Sequence, residues 1–330
     1  MKISVFVFII LRVGGIQIRM VTFLDCQSVE KLILPLINKA CYAKKQGYKY
    51  EVKLLQKRKN TTSSEDGITY KKPGIILEAM HHSVSIPTEI NDEFIVWFDV
   101  DVNIMNSSRQ FDLIDPNKAD LWITDHNCNP NNGVIALRND HRGRSFLKDW
   151  IHTCTLGQFP FTDQGCFYQQ LIFYASNISL IDTCDLLRTK TEKGPKPMKC
   201  VMQTWNHVFG AFRNGHDRIQ SRVGLRRADD GFNNHFCHPQ FHLKTYCRWY
   251  QPPGWSPSTC FKHGMFALHG RSPQRAKKIG LSQSNFDLAA TFDPALRQCI
   301  SSRKATILQL AKQACSSGAD SWVNFGAGGQ

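Results

Sequence analysis

No two cysteines of this chain stand three residues apart, so the C-x-x-C spacing of zinc ribbons and thioredoxin-like redox sites is missing. Long apolar runs are missing too. The stretch from Ile3 to Leu11 is cut by Arg12, well short of the ~20 residues that cross a bilayer. There is no internal repeat, which sets solenoids aside. Acidic residues are scarce: 27 Asp and Glu face 41 Lys and Arg, for a net charge of +14. A positive surface suits anionic partners such as diphosphates, nucleic acid or acidic lipid. Nucleic acid is disfavoured, because the chain has no recognisable nucleic-acid motif and no basic-aromatic repeat.

What is present fits a folded protein. With 330 residues, 42% of them hydrophobic, the chain can build one large α/β domain or two small ones. Met1-Lys2 precedes the apolar run, and Val13-Gly14-Gly15 follows it. Residues 1–15 therefore read as a signal-like or truncated anchor segment, the competing reading being a buried first strand. Twelve cysteines are present; Cys184 and Cys200 flank one loop, and Cys237, Cys247 and Cys260 cluster in another. An oxidising compartment with a few disulfides and a set of free buried thiols both fit this count. Asn60, Asn106 and Asn177 each open an N-x-S/T sequon.

Strand and helix patterns alternate. Ile18 to Leu24 reads as a strand. A helix follows from near Pro35 to Gln46, with Lys44 and Lys45 in its last turn and Gly47 as its stop. Tyr48 to Leu55 is a second strand, and a short helix over Ile75 to Met80 follows Pro73-Gly74. Phe94-Ile95-Val96-Trp97-Phe98 is a continuous apolar run, the mark of a strand buried on both faces. Leu121 to Thr124 and Gly133 to Leu137 are further strands; His141 to His152 and Asp163 to Tyr174 are helical. The alternation predicts an α/β sandwich with a largely parallel sheet. Residues 190–260 read as irregular, Cys-rich loops. Asp293-Pro294 starts a last helix with the stripe Leu296, Ile300, Ile307, Leu310 and Ala311, and 316–330 reads as a small, polar, frayed tail.

Chemistry concentrates in four places. Asp99 and Asp101 follow the buried strand at i and i+2, at the end of a strand where open α/β sheets bind ligands. Hard oxygen ligands of this kind suit Mg²⁺ or Mn²⁺ with phosphate oxygens in the open positions. Asn131-Asn132-Gly133 enters a strand; it is a turn signal that can also set an amide against a sugar. Thr162-Asp163-Gln164 opens a helix, where a cap or a substrate contact both fit. His269-Gly270 is followed by Arg271, Arg275, Lys277 and Lys278, a histidine able to complete a metal site and cations able to hold a diphosphate.

These motifs, in this order, resemble one family of retaining glycosyltransferases. It contains fungal galactomannan galactosyltransferases, yeast α-mannosyltransferases and plant xyloglucan xylosyltransferases. The resemblance is carried by Asn38-Lys39, Tyr42-Ala43 and Gly47-Tyr48, then by Trp97-Phe98-Asp99-Val100-Asp101 with Ile104-Met105-Asn106. Thr124-Asp125-His126, Asn132-Gly133-Val134, Leu137-Arg138-Asn139, Phe146-Leu147 with Trp150, and Thr162-Asp163-Gln164 continue it, with a looser match at His269-Gly270. It implies a GT-A fold, a single α/β domain over 16–280 with a mixed, mostly parallel sheet flanked by helices, followed by a C-terminal helix and tail over 281–330. It implies that Asp99, Asp101 and His269 bind Mn²⁺ (or Mg²⁺), and that Asn132 and Gly133 touch the donor sugar. Asp163 and Gln164 would lie near the anomeric carbon, with Lys277 or Lys278 at the departing diphosphate. The partners would be a nucleoside-diphosphate sugar and an oligosaccharide or polysaccharide acceptor, in the Golgi lumen or at its membrane, with membrane association through the N-terminus. The Cys-rich segment from 184 to 260 departs from the family pattern.

Two other functions fit parts of the pattern. An apolar strand leading into Asp99-Val100-Asp101-Val102 also suits an aspartate-nucleophile phosphatase, though such motifs normally open the domain and here strands precede it. A secreted carbohydrate-binding protein that kept the fold without turnover is the third reading.

Overall fold

Strand β3 (Glu93–Phe98) shows how the layers are set. Its side chains alternate between faces. Phe94, Val96 and Phe98 enter one apolar core, while Ile95 and Trp97 enter a second, and all five are fully buried. A strand buried on both sides needs helices on both sides, and the computed structural model supplies them. It describes residues 16–56, 71–82, 92–156 with short gaps within 105–118 and at 127–128, 159, 163–186, parts of 199–207, the strand residues 234–235, 243–245 and 267–269, and 293–325.

Around β3 lie β1 (Gln17–Asp25), β2 (Lys49–Leu55), β5 (Leu121–His126), β6 (Asn129–Arg138), β7 (Asn234–His235) and β10 (Ser321–Asn324), in the order β10-β2-β1-β3-β6-β5-β7. β1, β2, β3, β5 and β7 run one way; β6 and β10 run against them. The sheet is thus mixed and mostly parallel, with helices on both faces, as the strand–helix alternation predicts. The first core is closed by α1 (Val29–Gln46) and α6 (Pro294–Ser316), the second by α2 (Lys72–His81), α3 (His141–Leu156) and α4 (Asp163–Ser176). A short α5 (Leu180–Thr183) follows α4. A second sheet, in the order β4-β9-β8, joins β4 (Val102–Ile104) to β9 (Ala267–His269) and β8 (Leu243–Thr245).

Local chemistry explains how α1 ends and how α3 packs. Gly47 ends α1 in the left-handed region at φ 72°, and the Tyr48 amide returns to the Ala43 carbonyl. Gly143 lets α3 approach β6 so closely that a Cβ there would collide with the Arg138 carbonyl.

Several expectations change. α1 begins at Val29, so Pro35 sits inside the helix and not at its start; its ring is buried in the core, which offsets the lost backbone hydrogen bond. Leu310, placed in the α6 stripe, is exposed, while Leu296, Ile300, Ile307 and Ala311 are buried. The region after Ser316 is not a frayed tail throughout, because Ser321–Asn324 forms β10 against β2. Within 190–260, residues 234–235 and 243–245 are strands and not irregular loop. Cysteines of the described residues are paired: Cys26–Cys315, Cys41–Cys299, Cys154–Cys166 and Cys184–Cys200. No described helix is long and apolar enough to cross a membrane.

Candidate active site

The site forms where β3 ends. The Asp99 amide donates to the Gly133 carbonyl at 2.7 Å, and the Val102 amide returns to the Asp99 carbonyl at 3.0 Å. The chain therefore turns immediately after the buried run and presents Asp99 and Asp101 on the turn. Trp97, one step back on the second-core face, donates its indole N–H to Asp99 Oδ1 at 2.9 Å.

β6 brings the next residues. Asn-Gly is a turn signal, but here Asn132 and Gly133 lie within the strand. The register of β5 against β6 shifts between Ile123 and Thr124: Ile123 faces Ile135, whereas Thr124 faces Asn131. The skipped residues on β6 include Asn132 and Gly133, which reach the site, and Val134, which pairs with Phe98 in the first core. An irregularity of this kind frees a strand segment from ladder pairing and re-aims its side chains. Asn132, buried, donates from Nδ2 to Asp163 Oδ2 at 2.7 Å, and its backbone N–H donates to Gln164 Oε1 at 2.9 Å. The first turn of α4 is thereby joined to β6. A carboxylate at Asp163 also suits the positive end of that helix.

At the centre is a residue that the sequence motifs did not single out. Lys72, in the first turn of α2 and buried, makes ion pairs with Asp99 Oδ1 at 2.8 Å and Asp163 Oδ2 at 2.7 Å. It also donates to Asn132 O at 3.2 Å and Oδ1 at 3.0 Å, and it stands 5.8 Å from the centre of the Trp97 ring. Burial pulls the Lys72 pKa down, but the Asp163 and Asp99 carboxylates outweigh burial and hold it above the ordinary lysine value. Its charge is locked. A signal for Lys72 did exist in the sequence. A lysine at a helix N-terminus opposes the helix dipole, so its place just before Pro73-Gly74 calls for carboxylates in space.

A second buried lysine approaches the turn from the other face. Lys39 of α1 donates to the carbonyls of Val100 at 2.9 Å and Val102 at 2.7 Å, on both sides of Asp101. Beside it, Asn38 brackets Ile104, donating to its carbonyl at 2.9 Å and accepting from its amide at 2.7 Å. Burial pulls the Lys39 pKa down to about 7, against the opposing effect of Asp101 and Asp99.

Asp99, Asn132, Asp163 and Gln164 are thus brought into one cluster, with Gly133 supplying a carbonyl and Asp101 at the rim. His269 is placed by its backbone alone: in β9 it pairs with Val102, next to Asp101. The His269 side chain, Lys277 and Lys278 lie outside the described residues. Among the described residues no group of three His, Cys, Asp or Glu forms a metal cage. The donor set nevertheless fits a hard divalent ion. Asp99 and Asp163 are paired with the Lys72 ammonium, and Asp101 stands on the same turn near Lys39, so hard oxygen donors gather beside the sheet end.

No protein-family model matches the chain, and no curated protein matches it in sequence. Among solved structures it is similar to a glycosyltransferase involved in the glycosylation of the major capsid of PBCV-1, at 17% identity, with 41% of this chain and 66% of that chain covered and a TM-score of 0.32. It is also similar to the glycosyltransferase GlyE of Streptococcus pneumoniae TIGR4, at 12% identity, with 87% and 64% covered and a TM-score of 0.35. The chain spans just under two thirds of the length of these neighbours. Such superpositions are loose, and the chemistry has to come from the residues.

Proposed function

We propose that the chain is a GT-A glycosyltransferase that moves a hexose or pentose from a nucleoside-diphosphate sugar to a glycan hydroxyl, with retention. The observation that supports this most is the convergence of Asp99, Asn132 and Asp163 on Lys72 at the end of a buried strand, with Gln164 bonded to the Asn132 amide. Asp99 and Asp101 would hold Mn²⁺ or Mg²⁺, with His269 as the third protein ligand. Such an ion, when bound, stabilises negative charge on a leaving diphosphate.

The chain's own groups supply the rest. Lys72 fixes Asp99 and Asp163 relative to each other, so the acidic groups need no reorganisation when substrate arrives. Asn132 and Gly133 line the sugar side, and Lys277 or Lys278 would meet the departing diphosphate. Asp163 Oδ2 carries bonds from both Lys72 and Asn132. These bonds fix the Asp163 carboxylate, which would stabilise positive charge at the anomeric carbon. Gln164, bonded to the Asn132 amide, orients the same corner. The paired cysteines support an oxidising compartment, which agrees with a place in the secretory pathway, at the Golgi lumen or membrane.

A thermal-shift panel of nucleotide-sugars with and without Mn²⁺ tests this reading. A ligand that binds only the folded state raises apparent stability. One nucleotide-sugar should stabilise the protein with Mn²⁺ and should then be consumed when glycan acceptors are added. A panel with no stabilising nucleotide-sugar would overturn the proposal.

A further inference from the structure

Three sequons occur in the chain, and the structure separates two of them. Asn60 lies outside the described residues. Asn106 is half-buried in a tightly bonded stretch: its Oδ1 accepts from the Ser108 amide at 3.0 Å and hydroxyl at 2.6 Å. The intervening Ser107 is fully buried and held by Lys45, Gln46 and Asp293. Asn177 is different. It follows the last residue of α4 in the left-handed region at φ 57°, with its N–H returned to the Phe173 carbonyl at 2.9 Å. Asparagine tolerates this conformation better than most residues with a side chain. The backbone is then fixed on the far side as well, because the Ser179 hydroxyl caps α5 by accepting from the Asp182 amide at 3.3 Å. Ile178 packs against the second core, whereas the Asn177 side chain faces solvent.

We propose that Asn177 carries an N-linked glycan. Three observations converge on it: the sequon Asn177-Ile178-Ser179, an exposed side chain on a rigid turn, and disulfides that place folding in an oxidising compartment. The co-reactant is a lipid-pyrophosphate-linked oligosaccharide. Nδ2 of Asn177 forms a bond to the anomeric carbon, the bond from that carbon to the phosphate oxygen breaks, one Nδ2 proton passes to base, and the lipid pyrophosphate leaves as the anion. The folded chain accommodates the product without rearrangement. Asn177 and the Asp163 cluster lie at opposite ends of α4, about 20 Å apart along the helix axis, so the glycan leaves the sugar-transfer site open. The inference does not depend on the proposed activity.

The full chain, produced in eukaryotic secretory cells, is treated with a glycosidase that converts a glycosylated asparagine to aspartate, and the peptide containing residue 177 is weighed. The expected result is conversion at Asn177, together with a one-glycan mobility shift that disappears in Asn177→Gln and in Ser179→Asp. The second variant keeps the helix cap while removing the sequon, so it separates modification from folding. An unconverted Asn177 peptide, or a mobility shift that is the same in both variants as in the wild type, overturns the proposal.

Discussion

The turn that carries Asp99 and Asp101 is approached by one buried lysine from each face of the sheet, and the two faces treat their lysines differently. On the α2 face, Lys72 is neutralised by carboxylates and stays charged. On the α1 face, Lys39 meets backbone carbonyls, and burial brings its pKa to about 7. A neutral amine still has N–H bonds for both carbonyls. Lys72 therefore organises charge, whereas Lys39 organises backbone shape.

The faces also differ in their covalent ties. The α1 face is stapled by Cys26–Cys315 and Cys41–Cys299, whose partners are 289 and 258 residues apart; Cys154–Cys166 and Cys184–Cys200 on the α2 face span 12 and 16. Residues 26–41 and 299–315 are tied together on the first face, so a site tuned by α1 is held in place by α6.

The largest predicted effect concerns those staples. A closed loop of several hundred residues restricts the unfolded chain by about 5 kcal/mol, and one of a dozen residues by about 3 kcal/mol. Replacing all four cysteines of the α1 face by alanine should therefore cost more stability in a urea titration than replacing the four of the α2 face. Equal losses would erase the contrast.

Next comes Lys72→Met. It removes the cation from between two carboxylates and should cost about 3–5 kcal/mol of unfolding free energy. A loss below about 1 kcal/mol would mean that Lys72 does not join Asp99 to Asp163 in solution.

Lys39→Met should cost less, about 1–2 kcal/mol at pH 9, through the two carbonyls left without their donor. Its effect on pH dependence is more telling. The Lys39 pKa falls from 10.5 to about 7 on folding, so between those values the unfolded chain binds a proton that the folded chain has released. Stability contributed through Lys39 thus rises as pH climbs from about 7 towards 10.5, and its burial penalty is fully felt below 7. Denaturation curves over that range should lose this slope in Lys39→Met; parallel slopes in wild type and variant would show that Lys39 is not buried in this way.

Much of this architecture is legible in the sequence where the signal is local. The apolar run of β3, the Asp99 and Asp101 pair behind it and Asp163-Gln164 sit in short segments whose pattern announces a strand end or helix start, whereas the turn signal at Asn132-Gly133 falls inside β6. Lys72 carries only the signal of a cation at a helix N-terminus, because the two carboxylates that define its role are brought near by the fold. β10 is four residues long and lies among small polar neighbours, so its pairing with β2 is decided by α6 returning the chain to the sheet edge. Pro35 reads as a helix start from sequence, because only the tertiary core explains a proline one turn and more inside α1. The pairing of Cys26 with Cys315 likewise joins opposite ends of the sequence, and no spacing rule reveals it.

Asp99 and Asp101 are proposed to form a cation-dependent diphosphate site. Titration calorimetry with UDP and GDP, in Mn²⁺ and then in chelator, tests it most directly. One nucleotide should bind with Mn²⁺, and that binding should vanish both in chelator and in Asp101→Asn, a variant expected to fold normally because Asp101 lies at the rim of the site. Binding that persists unchanged in chelator, or in Asp101→Asn, would contradict the assignment.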